Sequence, residues 1–104
     1  MRIPKHPTLI RRMRDARVKR LVPACAPLAA SLVRQSGTRG GFQLTLKEGG
    51  KTRTVYVPKD LTEEVRSSIR EHQRIRKLLR EITQLELARI RAHVDAERRR
   101  GKRR

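Results

Sequence analysis

Residues 42–57, FQLTLKEGGKTRTVYV, decide how the rest of the chain must be arranged. Phe42, Leu44 and Leu46 alternate with Gln43, Thr45 and Lys47, the period expected of a strand with one buried face. Glu48-Gly49-Gly50-Lys51 reads as a tight turn, and Thr52 to Val57 return with Val55 and Val57 on one side. The stretch is therefore a β-hairpin. Two strands alone are marginal in water, so the apolar face needs a helix laid across it.

On the C-terminal side Pro58 stops the strand, and Asp60-Leu61-Thr62-Glu63 has the spacing of a capping box. Leu61, Val65, Ile69, His72, Ile75, Leu79, Ile82, Glu86, Ile90 and Val94 follow at intervals averaging about 3.7 residues, with Leu78 and Leu85 widening the stripe. The pattern predicts one long amphipathic helix from about residue 61, or two with a bend near Thr83. Such a helix, about 35 residues, is on the order of 50 Å long, more than a domain of this size can cover. Its distal half must find a partner, fold back antiparallel or fray. Ile75, Leu78, Leu79, Ile82, Leu85 and Ile90 are the expected interface, for self-association or for a larger protein partner. Residues 97–104, ERRRGKRR, read as a basic disordered tail.

On the N-terminal side Gly37, Gly40 and Gly41 mark a loop with Arg39 at its tip. Residues 24–35 read as a short helix, with Leu28, Leu32 and Val33 at helical spacing. Residues 8–22 read as a basic helix capped by Thr8 and ended by Pro23, and residues 1–7 as an extended arm. The expected fold is thus mainly α with one β-hairpin, residues 8–96 forming a single small helix-hairpin-helix domain.

Charge narrows the function. The 104 residues hold 28 Lys and Arg against 10 Asp and Glu, a net charge of +18 and an isoelectric point near 11.8. Residues 1–59 carry 14 basic and 2 acidic side chains. RRMRDARVKR, residues 11–20, is costly self-repulsion unless phosphates or an acidic partner neutralise it. Arg outnumbers Lys 21 to 7, and guanidinium suits bidentate phosphate contact. The expected partner is therefore nucleic acid, held by Arg11, Arg12, Arg14, Arg17, Lys19 and Arg20 of the first helix. Arg39, Lys51, Arg53 and Lys59 would contribute from the loop and hairpin, Arg70, Arg74 and Lys77 from the long helix, and Arg98, Arg99 and Arg100 from the tail. Phe42 and Tyr56 are the only aromatics, too few for a reader that stacks single-stranded bases, which favours structured RNA or duplex DNA.

GGKTRTVYVPKDLTEEVR (residues 49–66) and IREHQRIRKLLREITQLE (residues 69–86), with PLAASLVR (residues 27–34) before them, resemble an uncharacterised family of short basic bacterial proteins met beside mobile genetic elements. The resemblance covers about residues 28–88 and is most specific at Gly50-Lys51-Thr52-Arg53 and Tyr56-Val57-Pro58-Lys59. It implies a helix-hairpin-helix order and a bacterial, phage or transposon setting, hence bacterial cytoplasm or nucleoid. Members carry a cysteine-rich, zinc-like segment and a His-Gly-Pro-aromatic motif between the LVR segment and the hairpin. This chain has QSGTRGG there, so the metal role is not carried over.

Other chemistry is weakly supported. Gly49-Gly50-Lys51-Thr52 lacks the Walker glycine, since Thr45 stands in its place, and precedes a strand rather than a helix. His6, His72, His93 and Cys25 show no zinc spacing. Asp60, Glu63 and Glu64 suit helix capping, and the remaining carboxylates lie among arginines rather than in one acidic pocket. No cofactor, metal or catalysis is expected. No apolar run reaches the ~18 residues of a membrane span. The readings left are a non-catalytic accessory protein of a mobile-element or phage complex, a ribosome-associated protein, an adaptor or inhibitor of an acidic protein, and a sequence-specific repressor.

Overall fold

The computed structural model describes residues 1–34 and 41–102. The fold is mainly helical, with a small antiparallel sheet and a long C-terminal helix. The elements are α1 (Pro7–Lys19), β1 (Ser31–Arg34), β2 (Phe42–Glu48), β3 (Lys51–Val57), a 3₁₀ turn (Lys59–Leu61) and α2 (Thr62–Lys102). The chain divides into two compact units. Residues 23–75 form one, and residues 1–22 with 76–104 form the other, so α2 contributes its first part to the first and the remainder to the second.

The hairpin forms as expected because Gly49 and Gly50 adopt φ of +58° and +80°, which a two-residue turn of right-handed twist requires and which a Cβ would oppose. The register pairs Glu48 with Lys51, Leu44 with Val55 and Phe42 with Val57. A third strand completes the sheet in the order β1-β2-β3, with Leu32 opposite Leu44 and Arg34 opposite Phe42. Leu32, Phe42, Leu44, Leu46, Val55 and Val57 therefore share one face. Leu44 and Val57 are buried, and Leu32, Phe42 and Ile69 of α2 line a common groove. The Arg66 guanidinium lies 4.9 Å from the centroid of the Phe42 ring, a cation–π contact that caps this layer.

The short helix expected over residues 24–35 is not formed. Its last part is β1, and residues 23–30 contain no helix. Pro23 and Pro27 lack donors and disfavour helical backbone in the residues before them. Two of its backbone donors go to α2, and Ala30 N–H donates to the Leu28 carbonyl. Leu28 N–H bonds the Ser68 carbonyl at 3.0 Å and Ala24 N–H the Glu71 carboxylate at 3.3 Å. The segment is thus an extended strap, and it delivers SLVR to the open edge of β2.

The helix ends also differ from expectation. His6, not Thr8, caps α1: its Nδ1 accepts from Thr8 N–H at 3.2 Å, with Pro7 in the first turn, where its missing N–H costs nothing. The helix closes at Lys19 rather than Val22, Arg20 N–H donating to the Arg17 carbonyl. α2 begins at Thr62, whose hydroxyl donates to the Pro58 carbonyl at 3.1 Å, so the Asp60 capping box is replaced by the 3₁₀ turn. It runs unbroken through Thr83, whose hydroxyl donates to Leu79, and residues 97–102 continue it rather than beginning a tail.

Candidate nucleic-acid interface

In the second unit α1 covers one side of distal α2. Arg14 pairs with Glu86 and Arg17 with Glu81, so numbers rise along α1 as they fall along α2, an antiparallel arrangement. Ile10, Leu78 and Leu85 are the buried apolar side chains here, Leu85 completely. Leu78 and Leu85, expected at an interface between molecules, are therefore core residues of a single chain. Ile75 and Ile82 are half-buried, whereas Leu79 and Ile90 remain exposed.

Four of this unit's five carboxylates are held by its own cations, and Asp95 is exposed without an ion pair to a described residue. Glu86 accepts from Arg89 at 3.1 Å and from Arg14, and these hydrogen bonds, that of Arg89 first, hold its carboxyl down to about 2. The same contact, with a smaller one from Asp15, raises the Arg14 guanidinium. Arg17 Nε meets Glu81 at 3.2 Å with both side chains about four-fifths buried. Glu97 faces Arg100 at 3.6 Å and His93 at 4.0 Å. The unit holds 19 Lys and Arg against 5 Asp and Glu, a net of +14, and the other unit holds 9 against 5, a net of +4. Of the net charge of +18, +14 is thus on the helical unit.

The cations expected to bind separate into two groups. Arg11, Arg12, Lys19, Lys77, Arg98 and Arg99 are exposed on the helical unit and make no ion pair with a described residue. Lys51 and Lys59 share that condition in the other unit. Arg14 and Arg17 are engaged as described, Arg74 pairs with Glu71, Arg53 with Glu48 at 3.2 Å, and Arg100 with Glu97. Arg70 donates to the Ser67 hydroxyl at 3.3 Å, and Arg20 caps α1 through its backbone. Arg39 lies outside the described residues.

Five cations join the helical unit's surface without having been singled out by sequence. The arm brings Arg2 and Lys5 beside Arg12 in a groove with Ile3, Leu9 and Met13. Lys5 also lines a second groove with Arg91 and Arg99, walled by Pro4, Pro7 and the alanines 88, 92 and 96, with Asp95 at its side. Arg76 and Arg80 are exposed on α2. Both were legible, because neither has an Asp or Glu three or four residues away in the sequence.

No family model, curated protein or solved structure matches the chain. What it does must be read from the site. Among the described residues no group of three or more His, Cys, Asp or Glu side chains is placed to hold a metal ion, and no helix is long and apolar enough to cross a membrane. Tyr56 is exposed on the sheet face opposite Leu44, with its ring laid over Gly41: a Cβ built there would fall 2.7 Å from the tyrosine hydroxyl. The surface therefore offers one aromatic ring and many guanidinium groups, a chemistry of phosphate contact more than of base stacking.

Proposed function

We propose that the chain is a non-catalytic nucleic-acid-binding accessory protein, gripping structured RNA or duplex DNA by its phosphates and assembling with a protein through α2. The observation that carries this reading is the unmatched charge of the helical unit. Among the described residues its exposed cations, Arg11, Arg12, Lys19, Lys77, Arg98 and Arg99 among them, meet no carboxylate, while Glu81 and Glu86 are bound inward by Arg17, Arg14 and Arg89. A polyanion relieves that repulsion and gains the entropy of released counterions. The hairpin adds Lys51 at an exposed turn. The resemblance of residues 28–88 to basic proteins met beside mobile elements supports a mobile-element or phage complex as the setting.

The test is to purify the protein from its native cells at low salt, sequence the nucleic acid that accompanies it, and repeat after nuclease digestion. One defined RNA or DNA, lost together with its complex on digestion, is the expected result. A protein complex that survives digestion, with no nucleic acid recovered, overturns the reading in favour of an adaptor for an acidic protein.

A further inference from the structure

α2 has a second apolar side that its own chain leaves open. Leu79, Leu87, Ile90 and Val94 are between 40% and 49% exposed, and with Thr83 they recur at intervals of four, four, three and four. At 3.6 residues per turn these positions fall within about 80° of arc, centred about 160° around the helix from Leu85, which α1 helps to cover. An arc of that width is a two-helix seam rather than the broad face of a helix packed in a core. The repeat closes every eleven residues, 79 to 90 and 83 to 94, so the line stays nearly straight along about 22 Å of helix.

The edges of the seam select its occupant. One edge carries Arg80, Arg91 and Arg98, which lie within about 20° of one another around the axis and have no ion pair with a described residue. The other edge carries Glu86 and Glu97, already bound by Arg14 and Arg89 and by Arg100 and His93. A second copy would bring the same arginine row and another +14, with no unengaged carboxylate on either edge to meet it. A lipid surface favours a broad apolar face with Trp or Phe anchors, and this stripe is narrow and has no aromatic residue. We infer that the seam binds an amphipathic helix of another protein, apolar along one side and edged with Asp or Glu. This deepens the assembly part of the proposed function and is independent of its nucleic-acid part.

The test uses nuclease-treated, full-length protein and two synthetic helices of about 22 residues with the same leucine seam, one edged with Glu and one with Lys. Binding is read by fluorescence anisotropy at physiological salt. The Glu-edged helix is expected to bind and the Lys-edged helix not to. Leu87→Ser with Ile90→Ser, both exposed positions and checked for retained helicity, should weaken binding at least tenfold, and Arg80→Gln with Arg91→Gln should remove the preference for Glu. No binding of the Glu-edged helix, or binding that the seam variant leaves unchanged, overturns the inference. Dimerisation of the protein that Ile90→Ser abolishes would overturn it in favour of a second copy, and seam-dependent binding to phosphatidylglycerol vesicles in favour of a membrane. Because nucleic acid is absent throughout, a failure here leaves the phosphate-binding reading where it stood.

Discussion

Two sets of α1 cations should behave differently towards salt. Arg11, Arg12 and Lys19 face solvent without a carboxylate, so in a complex each can displace a counterion from a phosphate. Arg14 and Arg17 are committed to Glu86 and Glu81. Each lost phosphate contact on duplex DNA flattens the dependence of log affinity on log salt by about 0.9, so Arg11→Gln with Arg12→Gln and Lys19→Gln should flatten it by about 2.7. Between 50 and 200 mM salt that corresponds to roughly a 40-fold smaller loss of affinity for the variant than for the parent. Arg14→Gln with Arg17→Gln should leave the slope nearly unchanged and lower thermal stability instead, because Glu81 loses its guanidinium partner and Glu86 keeps only Arg89. The assay is fluorescence anisotropy of a labelled 20-base-pair duplex across a salt series, with thermal melts of both variants. Equal slopes for the two variants, or a triple variant identical to the parent, would refute the assignment of the outer face of α1 as the contact.

Further outcomes follow from the packing. Leu85→Ala should cost about 2–5 kcal/mol, read as a fall in the melting midpoint, while Leu87→Ala two positions on should change it by less than about 0.5 kcal/mol; equal effects would show that α1 does not cover Leu85. The Glu86 carboxyl is held at about 2, below its ordinary range near 4.5, so it contributes stability above pH 4.5 that disappears as pH falls towards 2. Acid titrations followed by circular dichroism should show Glu86→Gln and parent converging over that interval, and a constant difference between them would contradict it. Gly50→Ala forces a left-handed backbone on a residue with a Cβ and should destabilise the hairpin by roughly 1–2 kcal/mol, measurable by chemical denaturation.

The hairpin and the long helix were readable because each repeats one period over many residues and is bounded by a distinct signal, Gly49-Gly50 in one case and Pro58 in the other. The strap and β1 were not. Leu28, Leu32 and Val33 fit a helical spacing as well as a short strand, and periodicity cannot separate the two over so few residues. The open edge of β2 decides it, pairing Leu32 with Leu44 and Val33 with Gln43, and that is a tertiary fact. The candidate site was legible in outline, since the excess of cations is a matter of counting. Which arginines stay available was not, because Arg14 and Glu86 are 72 residues apart and only the return of α1 onto α2 brings them together.

That return also answers how a helix as long as α2 is supported. Its distal part has two apolar sides, and α1 covers only the one bearing Leu78 and Leu85. The ion pairs that fix α1 there occupy Glu81 and Glu86, and Glu81 in an unpacked α2 would stand four residues from Lys77 and mute it. Folding thus concentrates positive field on the outside of the unit at the cost of self-repulsion, and a phosphate chain bound there should raise the melting midpoint by an amount that shrinks with salt. The coupling runs both ways. A variant that frees α1, such as Leu85→Ala, should lose affinity for nucleic acid although Leu85 touches none of it, and its remaining affinity should recover when melting is suppressed by lowering the temperature towards 10 °C. Affinity that stays low on cooling, with the helix content restored, would place Leu85 in the contact itself.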